Sequence, residues 1–175
     1  MKYNHVSTQK YFENICLKLG SSTSGEFNSC NPTLIEIYHE EGGISDFNKT
    51  EKVVNLDCID NILVRKHERY GEATMDFSFI ITNDNQEEIV FSDFKLRTTS
   101  GSNLQSINKN RIRNKIKNST ETYSLEIPTF ANQFLIFRKE VVPVAISRIN
   151  RQYNNQKHSI ISIDINDFYQ TFFSN

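Results

Sequence analysis

The chain contains no tryptophan, and its few cysteines and histidines form no motif. Cys16, Cys30 and Cys58 are odd in number and lack a CxxC spacing, so neither a disulfide framework nor a zinc site is expected. His5, His39, His67 and His158 are scattered, with no HExxH pattern or paired histidines. No apolar run approaches the length that spans a bilayer, which argues against a membrane protein. The first ten residues, MKYNHVSTQK, lack the apolar core of a signal peptide, so a reducing cytoplasm is the expected compartment. No repeat period, low-complexity tract or domain linker stands out.

What is present points to one folded domain covering residues 1–175, long enough to bury a core. Thirteen Phe and seven Tyr argue against a disordered chain. The net charge of −1 hides a segregation. Residues 1–92 carry 8 Lys and Arg against 15 Asp and Glu, whereas residues 93–175 carry 12 against 6. An acidic half joined to a basic half suits a protein that offers one face to a polyanion. Chance segregation on a mixed surface is the plainer alternative.

The sign changes inside Thr74–Arg97, TMDFSFIITNDNQEEIVFSDFKLR. Two apolar runs flank Asn83-Asp84-Asn85-Gln86, which reads as a β-hairpin. A turn centred on Asp84-Asn85 places Phe77 across from Ser92 and Asp76 across from Asp93. Strand alternation puts Lys95 on the face of Asp93. Met75, Phe77, Phe79, Val90, Phe94 and Leu96 are assigned to the opposite, apolar face. Two carboxylates about 5 Å apart at an effective dielectric of about 20 repel by roughly 3 kcal/mol. A divalent cation between them reverses that sign, and Mg²⁺ commonly takes one or two carboxylates with water and phosphate oxygens. An ammonium beside the pair can hold a phosphate. The plainer reading is a solvent-facing hairpin with ordinary surface charges.

Met75-Asp76 on one strand and Asp93-Phe94-Lys95 on the next resemble the PD-(D/E)xK nuclease superfamily. Its signature is an acidic residue at the start of a strand, with (Asp/Glu)-x-Lys on the following one. Met75 departs from the pattern, standing where the family often has proline. The resemblance implies a restriction-endonuclease-like α/β fold, a mixed sheet flanked by helices. It further implies Mg²⁺ as cofactor, Asp76 and Asp93 as its ligands, and Lys95 as the catalytic lysine. An acidic residue from an early helix often joins such sites. Glu36 is the candidate here, with Glu13 as second choice.

The remaining segments supply a scaffold and a basic surface. Ser7–Leu19 reads as a helix capped by Ser7, with a core stripe of Tyr11, Phe12, Ile15, Cys16 and Leu19. Asn31-Pro32 is expected to open a second helix and Gly42-Gly43 to end it. Residues 53–65 read as a strand, broken or bulged near Asp57–Asn61. Arg97, Thr98 and Thr99 follow Lys95 and suit phosphate contacts. Residues 103–118 carry Lys109, Arg111, Arg113, Lys115 and Lys117. Their alternation would gather all five on one face of a strand. A helix, the preferred reading, splits them into Lys109, Arg113, Lys117 and Arg111, Lys115. Each phosphate neutralised steepens the salt dependence of duplex binding by a slope of about −0.9. Residues 133–137 and 141–147 read as buried strands. Arg148 and Arg151 open a polar loop suited to base-edge contacts, or to solvent alone. Residues 159–163 read as a strand, followed by a terminal helix with Phe168, Tyr169, Phe172 and Phe173 as core.

A short chain of this kind is most similar to a Type II restriction endonuclease, which implies a homodimer on double-stranded DNA. The same chemistry in a bacterial toxin, phage or repair enzyme, with little sequence preference, is the nearest alternative. A non-catalytic DNA-binding protein of the same fold is the other.

Overall fold

Apolar residues run consecutively through Phe79–Ile81 and Ile89–Phe91 of the central hairpin, so both faces of its sheet must be covered, and helices cover both. The computed structural model describes residues 1–21, 25–44, 50–66, 73–100, 104, 107–150 and 159–174, apart from the side chains of Lys109 and Asn150. Among these residues, six strands form one mixed sheet: β1 (Lys2–Tyr3), β2 (Val54–Asn55), β3 (Phe77–Asn83), β4 (Gln86–Phe94), β5 (Asn132–Phe137) and β6 (Ser159–Asp164). Strand order is β1-β3-β4-β5-β6, and β2 pairs with β3 below β1 on the same edge. β1, β2 and β4 run antiparallel to β3, whereas β4, β5 and β6 are mutually parallel. The helices are α1 (His5–Lys18), α2 (Leu34–Glu40), α3 (Leu56–Arg65), α4 (Lys109–Tyr123), α5 (Val142–Ala145) and α6 (Ile165–Phe172). The fold class is therefore α/β, as expected.

The β3–β4 register is the one read from the sequence: Phe77 pairs with Ser92 and Phe79 with Val90. Asp84 and Asn85 both take positive φ, +48° and +64°, the backbone that matches a two-residue turn to the twist of its strands. On one face, Phe77, Phe79, Val90, Phe94, Phe134 and Ile136 pack against α2 and α6. Phe168 of α6 meets Phe77, Phe79 and Phe134 edge-on, an arrangement that aromatic quadrupoles favour. On the other face, Ile80, Ile89, Phe91, Leu135 and Phe137 pack beneath α1, α3, α4 and α5. Met75, assigned to the first face, lies in the second core instead. It precedes β3, so strand alternation does not extend to it, and its N–H donates to Ser119 Oγ of α4 at 2.8 Å.

Several element boundaries and types differ from the sequence reading. α1 is capped by Asn4, whose Oδ1 accepts from the Ser7 N–H, so Ser7 lies inside the helix. Thr33, and not Asn31, caps α2, while Gly42 with φ +92° ends it as expected. Residues 53–65 are mostly helix: Leu56, Ile59 and Leu63 recur at spacings of three and four, and Asn55 Oδ1 caps the Cys58 N–H. α4 starts at Lys109 behind the Asn108 cap, later than the expected 103. Residues 141–147 are helical as well. Pro143 lies in the first turn of α5, where its fixed φ is at home, and a π turn over Ile146–Asn150 follows. β5, β6 and the Asp164-capped α6 fall where the sequence placed them.

Cys30 and Cys58 form a disulfide across a Cα separation of 5.4 Å, contrary to the expectation of none, and Cys16 remains a buried free thiol. The bond ties the 3₁₀ turn Asn28–Cys30 to the first turn of α3. Among the described residues no helix is long and apolar enough to cross a membrane.

Candidate metal and phosphate site

Asp76 stands immediately before β3, one residue ahead of the Phe77–Ser92 pair, and Asp93 follows Ser92 on β4, so the two acids lie at the same end of the hairpin. Two helices pin the segment that carries Asp76. Asn118 of α4 donates to the Ala73 carbonyl at 3.2 Å, and the Leu56 N–H of α3 donates to the Asp76 carbonyl at 2.9 Å. Thr74 Oγ1 donates at 2.6 Å to Asp60 Oδ2 of α3, while Tyr123 of α4 donates to Asp60 Oδ1. Buried Asp60 thus has both oxygens satisfied and serves as a strut.

The two site carboxylates are buried, Asp93 completely. Each uses one oxygen for its surroundings and turns the other inward. Asp76 Oδ2 accepts from the Phe94 N–H at 2.6 Å, and Asp93 Oδ2 pairs with Lys95 Nζ. The two Oδ1 atoms converge on a single ammonium, Lys115 Nζ, at 3.1 Å from Asp76 and in contact with Asp93. Two carboxylates and two ammonium groups make the cluster formally neutral. Burial lowers the pKa of Lys95 to about 8, with Lys115 and Arg111 acting in the same sense and Asp76 and Glu41 opposing.

Lys115 comes from the helix period of α4. Ile112, Ile116, Ser119 and Tyr123 face the sheet, which places Lys115 and Arg111 along the flank nearest the acids. Beside the cluster lies a cavity of about 250 Å³, lined by Lys95, Thr98, Asn108, Arg111 and Lys115 with Ile107 and Ile112 as apolar wall. Three cationic side chains line this pocket, two of them also paired with the carboxylates.

Two further acids border the cluster, and neither was singled out from the sequence. Asp57, in the first turn of α3, has its pKa raised to about 6 by burial and by the nearby Asp76, with Lys115 opposing. Glu41, following α2, is raised by burial and Asp76 and opposed by Arg97, Lys95 and Lys115. Glu36 does not join them. It sits at the third position of α2 and accepts from the Thr33 N–H at 2.6 Å and Thr33 Oγ1 at 2.8 Å, completing a capping box. Those bonds hold its carboxyl below the usual range. Glu13 is exposed on α1.

The basic residues divide. Arg111, Lys115 and Thr98 line the cavity, and Arg97 and Thr99 are exposed beside it in sequence. Lys115 is not a free surface cation, since both carboxylates hold it. Arg113 and Lys117 are exposed on α4, with Lys117 3.8 Å from Glu121. Arg148 is exposed on the π turn. The Lys109 side chain and Arg151 lie outside the described residues.

The donor set suits a hard cation. Two carboxylate oxygens already meet at one positive charge, and Mg²⁺ completes such a pair with water and phosphate oxygens. Among the described residues, no group of three or more His, Cys, Asp or Glu side chains gathers to hold a metal. Comparison with family models, curated proteins and solved structures found no match for this chain.

Asp57 provides a pH test of this electrostatic arrangement. Its folded pKa of about 6 exceeds its ordinary 3.8, so its ionisation opposes folding. The penalty is absent below pH 4, grows between pH 4 and 6, and is complete above pH 6. Asp57→Asn should therefore stabilise the metal-free protein by about 2 kcal/mol at pH 8 and by nothing near pH 4. Urea melts in EDTA at the two pH values measure the difference.

Proposed function

We propose that this chain is a Mg²⁺-dependent endonuclease that hydrolyses phosphodiester bonds in double-stranded DNA, in the manner of a Type II restriction enzyme. One observation carries the reading: Oδ1 of Asp76 and Oδ1 of Asp93 meet at one cationic point, beside a cavity lined by three basic side chains. Asp76 and Asp93 would hold Mg²⁺, whose chemistry there is to activate a water and offset charge on the phosphate. Lys95, fixed by Asp93 and facing the cavity, positions a phosphate oxygen and steadies developing negative charge. Arg111, Thr98 and Asn108 bind the strand beside the scissile bond, and Arg97 and Arg113 add backbone contacts. Sequence preference belongs with a two-fold homodimer on a palindromic site.

Purified protein incubated with plasmid should give discrete bands in Mg²⁺ and none in EDTA, with RNA left intact. A smear would move the assignment to a toxin, phage or repair nuclease of the same chemistry. A second reading, a non-catalytic DNA-binding protein, is favoured by the way Lys115 already neutralises the carboxylate pair. It predicts binding that ignores EDTA, and no cleavage.

A further inference from the structure

We propose that Lys115 is a built-in counter-ion that must leave the carboxylate pair before a divalent cation enters, and that an anion in the adjoining cavity receives it. The inference rests on the reading of Asp76 and Asp93 as cation ligands and adds a control device to it. Lys115 Nζ bridges the two oxygens that a shared cation would need. With Lys95 on the other oxygen of Asp93, the four groups are already balanced. A divalent ion added without moving Lys115 would leave an excess of two positive charges among side chains at most about one-fifth exposed. Such an excess is strongly unfavourable in a partly desolvated site.

The adjoining cavity is the exit. Lys115 also lines the cavity that Lys95, Arg111, Asn108 and Thr98 enclose, so rotation of its side chain keeps the ammonium inside a space suited to an anion. A phosphate there supplies the negative charge that Lys115 gives up at the carboxylates. Cation and phosphate then each strengthen the binding of the other, as linkage requires. Metal alone binds weakly, and the site becomes loaded when the phosphate backbone arrives with it.

Mn²⁺ alone is the probe, followed by calorimetric titration of wild type and Lys115→Met. The variant should bind Mn²⁺ about tenfold tighter, within the usual range of such couplings. Sulfate, standing in for phosphate, should tighten Mn²⁺ binding to wild type and leave the variant unchanged. A second measurement needs only wild type: acylation of Lys115 by acetic anhydride, mapped by mass spectrometry, should rise several-fold on adding saturating Mn²⁺, with Lys18 as an unchanged reference. Equal or weaker Mn²⁺ affinity in the variant overturns the proposal, as does unchanged Lys115 acylation in Mn²⁺-saturated wild type. So does the absence of Mn²⁺ binding by either protein. Cleavage by wild type with Lys115 acylation unaltered removes the counter-ion role alone. Tighter Mn²⁺ binding in the variant, with no cleavage by wild type, keeps it and removes the nuclease.

Discussion

Asp93→Asn should abolish Mg²⁺-dependent plasmid cleavage, by about a thousandfold or more, while leaving DNA binding intact or slightly stronger. Asparagine preserves the shape of a side chain that has no room to relax, since Asp93 is completely buried between β3 and β5. What disappears is one of the two charges that define the cation position. Lys95 and Lys115 are then left sharing Asp76, and the site gains one net positive charge. That surplus favours polyanion binding and opposes Mg²⁺, so binding and cleavage separate. The substitution also costs stability, because an ammonium loses its buried partner. Breaking a fully buried pair costs about 3–5 kcal/mol, but both lysines keep some solvent access and the loss should be about half that. Gel shifts in EDTA alongside plasmid digests in Mg²⁺ separate the two effects. Wild-type cutting by the variant would remove Asp93 from the chemistry altogether.

The part of this site that was legible in the sequence is the part specified by local pairing. A two-residue turn fixes the hairpin register through the Phe77–Ser92 pair, and that register brings Asp76 and Asp93 to the same end of the hairpin. The stripe of Arg111 and Lys115 followed from the helical period of a segment with one apolar face. That Lys115 reaches between the acids was not legible. The contact joins residues separated by 39 and 22 positions and depends on how α4 crosses the sheet. Asp57 is hidden in the sequence because Val53 and Val54 lengthen an apolar run that masks the helical spacing of α3 beyond it. The run at residues 141–147 has the same ambiguity, since periodicity cannot separate a short buried strand from a buried helix. Glu36 is a different case. Thr33-Leu34-Ile35-Glu36 is a capping-box sequence, and it already assigned that carboxylate to the helix end.

Reduction of the Cys30–Cys58 bond should lower unfolding stability by roughly 3–4 kcal/mol, the loop entropy of 28 residues released into the unfolded chain. For a chain of this size that loss corresponds to a fall in melting temperature of about 7–14 °C. Thiol titration in denaturant should find one reactive group per chain before reduction and three after it, because Cys16 alone is unpaired. Its burial keeps it from exchanging with the bond in the folded state. The effect should reach the site through α3. Cys58 lies next to Asp57 and two residues from Asp60, and Asp60 fixes Thr74, two residues before Asp76. Loosening the first turn of α3 therefore loosens one of the two helices that hold Asp76 in place, while α4 retains the other through Ser119 and Asn118. Reduced protein at a temperature where it stays folded should consequently bind Mn²⁺ more weakly than oxidised protein, with the difference confined to metal binding. Equal melting temperatures with and without reductant would show that the two sulfurs are not bonded in solution.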